Sequence, residues 1–378
     1  MKVAVTYRVL QGWRLPMFER LSDKNNIDLK LFYGCDFKGT KVVSSKRSHT
    51  FLSKKLPSIP IRLKTSNGNA LAPFSPTLLF ELILYRPDVV LCEGASNFIN
   101  NLFVLLYVKL FNKKMIQWGL GEISGRKKSR IRKSLDFIIE YTERKSDACL
   151  AYSNVGADYY KNIGVSSDKI FVAVNVIDTD DKLKEISKFN IEKVYKKSHA
   201  KSKFNVLFVG ALTRQKNVEL LINAYQKLEI KYGHDVSLVV VGNGDDAIRL
   251  KEIAVRSCCE NIAFRGNIVE GVSKYFLSSD IVVLPGLGGL VVSDSLVHGV
   301  PVIASIGDGC EQDLLSTGAG IIINDITSDK LFEVLDELFQ SPDRMRLMSS
   351  EAKNVIENKY NVNTYIDSIV ECLESVDK

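Results

Sequence analysis

FNVLFVGALTRQKNVELLINAY, residues 204–225, reads as a buried strand, a glycine turn at Gly210 and a helix whose first turn carries Lys216. The strand is one continuous apolar run, as a parallel sheet covered on both faces requires. The same alternation follows it downstream: strand SLVVVGNG, helix AIRLKEIAVR, strand IAFRG, helix GVSKYFLSS, strand DIVVLPG, helix SDSLVHG, strands PVIAS and AGIII. Helices KLFEVLDELFQ, MRLMSSEAKNVIENKY and TYIDSIVECLESV close the chain. Upstream, strands KVAVTY, IDLKLFYG, DVVLCEG, KKMIQWG and DACLAYS are separated by helical patterns such as TLLFELILYR. Residues 38–73 are polar, basic and interrupted by proline, and read as loops with short strands at most. The expected fold is α/β, two doubly wound Rossmann-like domains with a cleft between them. The expected boundaries are an N-terminal domain over residues 1–177, a polar linker over 178–203 and a C-terminal domain over 204–360. A last helix over 361–378 is expected to pack back toward the first domain.

Composition narrows the class. With 378 residues, 46% hydrophobic and 25% charged, and a mean hydropathy of +0.01, the chain is a folded globular protein of two or three domains. The longest apolar stretch, FINNLFVLLYVKLF, holds two asparagines and a lysine and falls short of the roughly 18–20 clean residues a membrane span needs. MKVAVTYRVL has none of the features of a signal peptide, so a cytoplasmic location is expected. Seven cysteines without framework spacing fit a reducing compartment.

Charge is unevenly divided. Residues 1–200 hold 34 Lys and Arg against 19 Asp and Glu, a net +15, whereas the remainder is −8. The basic half points to an anionic surface. Its densest run is Arg126, Lys127, Lys128, Arg130, Arg132 and Lys133, leading into an amphipathic helix. Such a run suits an anionic leaflet, at about 1 kcal/mol per cation near the surface, or a solvated loop. It lacks the interleaved aromatics of a nucleic-acid site, and no nucleic acid partner is expected.

Ligand signals concentrate in the second half. Lys216, with Arg214 two residues before it, suits a diphosphate at a helix start; the same two cations also suit an ordinary solvated loop. LPGLGGLVVSDSLVHGVPVIAS, residues 284–305, ends a strand in glycines and begins a helix near Val291. Gly288 and Gly289 allow backbone amides, with that of Leu290, to close on a phosphate. Asp294, one turn into the helix, either accepts from a ribose diol or is an exposed aspartate. Glycine turns at Gly210 and Gly242 lie at other strand ends.

In order and spacing these segments resemble family 4 glycosyltransferases of bacterial surface-polysaccharide type, which have the GT-B fold. The likeness runs through the turn before Lys216, the Gly242–Gly244 turn, the F-x-G strand end at Phe264–Gly266, SSDIVVLP and GLVVSDSLVHGVP. NVID, residues 175–178, matches the entry to the linker, and LPMFERLS, RPDVVLCEG and KKMIQWGLGE carry a weaker likeness in the first half. The resemblance implies a nucleotide-diphosphate-sugar as donor, with no metal, retention of anomeric configuration, and a lipid-linked glycan acceptor at the inner membrane face. Gly210, Gly242, Lys216, Arg214, Gly288, Gly289, Leu290 and Asp294 would hold the donor. Asn267 and Ile268 would read its base through backbone groups. Lys216, Arg214 and Glu311 are the catalytic candidates; Glu93, Glu122 and Trp118 are candidates for the acceptor contact or general base.

Two departures matter. The family pairs two glutamates eight positions apart where this chain has Gly286 and Asp294, and Ala211 stands at a common arginine. Two alternatives stay open: a sugar-nucleotide 2-epimerase of the same fold, which would turn over its nucleotide-sugar without an acceptor, and a non-catalytic partner protein of that fold, which the loss of the first carboxylate keeps open.

Overall fold

The computed structural model describes residues 1–36, 43–65, 68–121, 130–194 and 202–377. The chain divides into two compact units, Met1–Asn175 with Asn363–Lys378, and Val176–Val362. The C-terminal residues therefore belong with the first unit, and the segment read as a linker belongs with the second.

The first unit contains β1 (Lys2–Tyr7), β2 (Asp28–Tyr33), β3 (Leu52–Lys55), β4 (Ile59–Thr65), β5 (Gly68–Phe74), β6 (Val89–Glu93), β7 (Lys114–Gly119), β8 (Ala148–Ala151) and β9 (Ile170–Val172). Seven form a parallel sheet in the order β3-β2-β1-β6-β7-β8-β9, while β4 and β5 pair as a separate antiparallel hairpin. That hairpin lies within the stretch read as loop, because its alternation is broken by prolines that a two-stranded ribbon tolerates. The central strands of the main sheet, β1, β6, β7 and β8, are buried over nearly their whole length, as in VVLCE of β6, whereas the edge strands β3 and β9 are not. Helices Leu78–Tyr85 and Phe98–Phe111 cover it through a core that includes Leu78, Leu82, Val104, Tyr107 and Val108.

The second unit contains β10 (Phe204–Val209), β11 (Val236–Val241), β12 (Ile262–Gly266), β13 (Ile281–Leu284), β14 (Val302–Ser305) and β15 (Gly320–Ile323). All pair in parallel, in the order β12-β11-β10-β13-β14-β15. Polar composition concealed a helix, Thr179–Ile186, in the presumed linker: Asp178 caps it by accepting from the Asp181 amide at 3.1 Å. The Val362 amide donates to the Thr179 hydroxyl at 3.0 Å and ties the two ends of this unit together.

In the first unit a full positive charge is buried, with no carboxylate at hydrogen-bond distance among the described residues. Arg14 donates to the hydroxyls of Tyr7 at 3.3 Å and Tyr365 at 2.7 Å, and its guanidinium lies over the rings of Trp13, Trp118 and Tyr152. Aromatic faces and hydroxyls replace part of the lost hydration. Tyr365 lies in the last helix, Val362–Val376, so Arg14 also anchors that helix. Arg14→Ala should remove the hydrogen bonds to these two hydroxyls and leave a cavity, lowering stability by about 3 kcal/mol, measured as a fall in the urea midpoint.

Candidate functional site

In each sheet the chain first builds outward on one side of the opening strand and then returns to its other side. Ligands of such sheets bind beyond the carboxyl ends of strands at that reversal. In the second unit the reversal lies between β10 and β13, and the connections leaving those two strands touch. A Cβ on Gly286 would lie 2.2 Å from the Gln215 carbonyl oxygen and 2.7 Å from Lys216 Cα, so no side chain fits there on this backbone. This accounts for the absent carboxylate.

Further contacts close the junction. The Lys216 ammonium donates to the Leu287 carbonyl, Asn217 Nδ2 donates to the Pro285 carbonyl at 3.3 Å, and the Ser305 hydroxyl donates to the Gly286 carbonyl at 3.2 Å. Lys216 is half-buried, and desolvation lowers its pKa while the charge of Asp308 opposes the shift. An ammonium has three hydrogens, of which the Leu287 carbonyl takes one. The turn after β11 closes on the same edge: a Cβ on Gly242 would lie 1.8 Å from the Gly210 carbonyl oxygen. Gly288, Gly289 and Leu290 lead directly into helix Val291–Val297, and Asn267 and Ile268 follow β12. The structure thus brings Gly210, Lys216, Gly242, Gly288, Gly289 and Leu290 to one edge of one sheet.

Arg214 is elsewhere engaged. It is largely exposed and pairs through Nε with Asp246 at 3.2 Å. Arg249 donates to both oxygens of the same carboxylate, at 2.7 and 2.6 Å, and also reaches Glu219.

Asp294 is not an exposed aspartate. Its side chain keeps 19% of its exposure, and Oδ1 is buried without a hydrogen-bond partner. Lys182 Nζ stands 3.8 Å from that oxygen and 2.9 Å from Glu185 Oε2, while Ser273 donates to Glu185 Oε1 at 2.6 Å. His298 Nδ1 donates to the Asp294 carbonyl at 2.6 Å, and its ring stacks on Phe276. Burial pushes the Asp294 carboxyl up to about 6 against the pull of Lys182, with Glu185 adding to the rise. Burial likewise pushes His298 down to about 4. Sequence reading missed Lys182 and Glu185 because they stood in a polar stretch; their i,i+3 spacing behind the Asp178 cap was the available signal.

Glu311 is a correction. It is buried, with Gly307 and Gly309 donating their amides to its carboxylate, and burial pushes it up to about 7. Its carboxylate fastens its own loop.

In the first unit the reversal lies between β1 and β6, where Arg8 and Glu93 meet. Glu93 accepts from the Arg8 amide at 2.5 Å through Oε2 and from Arg8 Nε at 3.2 Å through Oε1, so both oxygens are committed. Trp118 is fully buried among Tyr7, Phe18 and Tyr152, which rules out the acceptor contact expected of it. Glu122, Arg126, Lys127 and Lys128 lie outside the described residues. Arg130, Arg132 and Lys133 fall in the first turn of helix Arg130–Lys145, where only the backbone is described.

Residues 190–359 match the family model described as glycosyl transferases group 1. The chain is 25% identical over 294 residues to an uncharacterized glycosyltransferase of Methanocaldococcus jannaschii, covering 74% of this chain and 73% of that protein. It is 29% identical to the O-antigen biosynthesis glycosyltransferase WbnH of Escherichia coli, over 52% of each chain. Its fold matches HepE of Anabaena, crystallised with UDP, at a TM-score of 0.72 and 15% identity, covering 99% of this chain and 100% of that one.

The buried acid sets a pH dependence. Because the folded pKa of Asp294 is raised, its contribution to stability is fully present below about 4 and is lost as pH rises through about 6. Asp294→Asn should therefore raise the melting temperature at pH 7.5 relative to the parent, with the advantage shrinking toward pH 4; a melt series across that range measures it.

Proposed function

The chain is a group 1 glycosyltransferase of the GT-B fold, and we propose that it moves a sugar from a nucleoside-diphosphate sugar to a lipid-linked glycan during synthesis of a bacterial surface polysaccharide. The observation that carries the donor half is the junction at the β10–β13 reversal. There the Lys216 ammonium is fixed by the Leu287 carbonyl beside a turn that admits only glycine. A fixed cation close to backbone amides suits a diphosphate, and it acts most strongly on the leaving group, whose charge grows as the bond to the sugar breaks. The acceptor hydroxyl forms the new bond to the anomeric carbon and gives up its proton. In this reading Lys216 and the amides of Gly288, Gly289 and Leu290 stabilise the departing diphosphate without a metal. Asp294 holds the ribose diol through the edge of its carboxylate that solvent reaches, and Asn267 and Ile268 meet the base. Anomeric configuration is retained, as the family resemblance implies.

UDP is the first nucleotide to test, since HepE shares the fold and was crystallised with UDP and with UDP-glucose. The surface-polysaccharide assignment is supported by the likeness to the O-antigen enzyme WbnH.

A peripheral position at the inner membrane face is supported by the first unit. Among the described residues no helix is long and apolar enough to cross a membrane. Three helices that pack side by side, Leu78–Tyr85, Phe98–Phe111 and Arg130–Lys145, nevertheless leave large apolar side chains in water. Phe80, Leu84, Leu106, Leu110 and Phe137 are exposed, with Arg86, Lys109 and Lys145 near the helix ends. Apolar anchors with a cationic border fit an anionic leaflet.

Two measurements test these readings. A melt screen with UDP, GDP, dTDP, CMP and ADP should show one nucleotide stabilising the fold, by about 2.7 kcal/mol at a hundredfold excess over its Kd. That shift should vanish in Lys216→Ala, and sugar transfer should fall by about a hundredfold or more yet persist in EDTA. Sedimentation with vesicles containing phosphatidylglycerol should pull down the protein at low salt, and Leu106→Asp with Leu110→Asp should release it.

A further inference from the structure

Trp13 is held half out of water at the carboxyl edge of the first unit's sheet. It lies in the turn Gly12–Arg14, between the end of β1 and helix Leu15–Ser22, and remains 45% exposed. The chain has only two tryptophans, and the other, Trp118, is fully buried. The Arg14 guanidinium lies between them, 4.4 Å from the Trp13 ring centroid and 4.7 Å from that of Trp118. Arg14 is itself immobilised by Tyr7 and Tyr365, so one face of Trp13 rests on a group that does not move. The ring edge is fixed as well: Nε1 donates to Gln11 Oε1 at 3.2 Å. With one face covered and one edge tied, the accessible area falls on the rest of the indole.

A rigid, flat, apolar surface bordered by hydrogen-bonding groups selects its ligand. The negative π-face repels an anion, and a flexible acyl chain gains little from a single flat ring. A pyranose suits both features, with axial C–H groups on its apolar face and hydroxyls around its rim. Gln11 and Arg8, whose guanidinium keeps further N–H groups beyond the Nε–H given to Glu93, offer polar partners at the same edge of the sheet. Because the indole is already fixed, stacking costs little additional side-chain entropy. We propose that Trp13 is the stacking platform for a sugar ring of the acceptor glycan. This rests on the reading of a glycan acceptor given above.

The two-tryptophan composition makes the test direct, since only Trp13 faces solvent. The full-length protein is titrated with methyl glycosides of glucose, galactose, mannose and N-acetylglucosamine while tryptophan emission is followed. One sugar should give a saturable blue shift at about millimolar concentration. Trp13→Phe should keep binding, read by saturation-transfer NMR, within about threefold, whereas Trp13→Ala should lose about tenfold or more while still unfolding in a single cooperative melt. In transfer assays Trp13→Ala should raise the acceptor KM and leave kcat nearly unchanged. No saturable response to any of the four sugars, or a response that survives Trp13→Ala, overturns the platform. The nucleotide-induced melt shift, recorded on the same samples, separates the two readings. Its loss in the parent protein strikes the transferase assignment, whereas its presence beside a missing sugar response strikes only Trp13.

Discussion

A close approach of two backbones governs the second unit. At Gly286 the connection after β13 lies against the carbonyl of Gln215 and the Cα of Lys216, at distances where any Cβ would collide. Everything at that edge depends on this contact. It brings the Leu287 carbonyl within reach of the Lys216 ammonium, and it sets Asn217, with a positive φ of 51°, where its amide meets Pro285. Asparagine is among the few non-glycine residues that adopt this conformation readily, and here its side chain also secures the contact. A cation supported in this way needs little reorganisation when an anion arrives, which is the basis of electrostatic preorganisation. The position carries no side-chain carboxylate, and the close approach gives a tight, cation-bearing junction.

Charges in both units are kept by different means. Arg14 is surrounded by π-faces and phenolic hydroxyls, a setting that tolerates an unneutralised guanidinium because Arg is weakly hydrated and stacks well. Asp294 is instead left with one buried oxygen lacking a donor, a distant lysine and a neutral histidine. Such an environment is destabilising for a carboxylate, and destabilised carboxylates mark functional sites more often than structural ones. Glu311 is likewise raised by burial, but the amides of Gly307 and Gly309 donate to its carboxylate, and it holds a loop.

The first unit combines two surfaces of different character. Exposed leucines and phenylalanines on three neighbouring helices form a broad apolar face, whereas Trp13 is a single rigid ring set among polar groups. The first suits a fluid, extended environment and the second a small ligand of defined shape. Arg8 and Glu93, paired at the β1–β6 reversal, hold the end of β1 in place near the turn that carries Trp13.

Continuous apolar runs determined the two parallel sheets from sequence alone, because a strand buried on both faces has few polar residues to offer. The glycine turns after β10, β11 and β13 were legible for the same local reason, and with Lys216 they marked the edge where the donor is proposed to bind. The helix Thr179–Ile186 was not legible, since its face toward the unit is small and its composition polar, although Asp178 stood ready to cap it. Side-chain fates were decided by tertiary structure. Whether Trp118 or Trp13 meets solvent, whether Glu311 finds amides, and whether Arg214 finds Asp246 depend on neighbours far apart in the chain. Gly286 is the clearest case: sequence records an absent carboxylate, and only the packing of one turn against another shows that no side chain fits there.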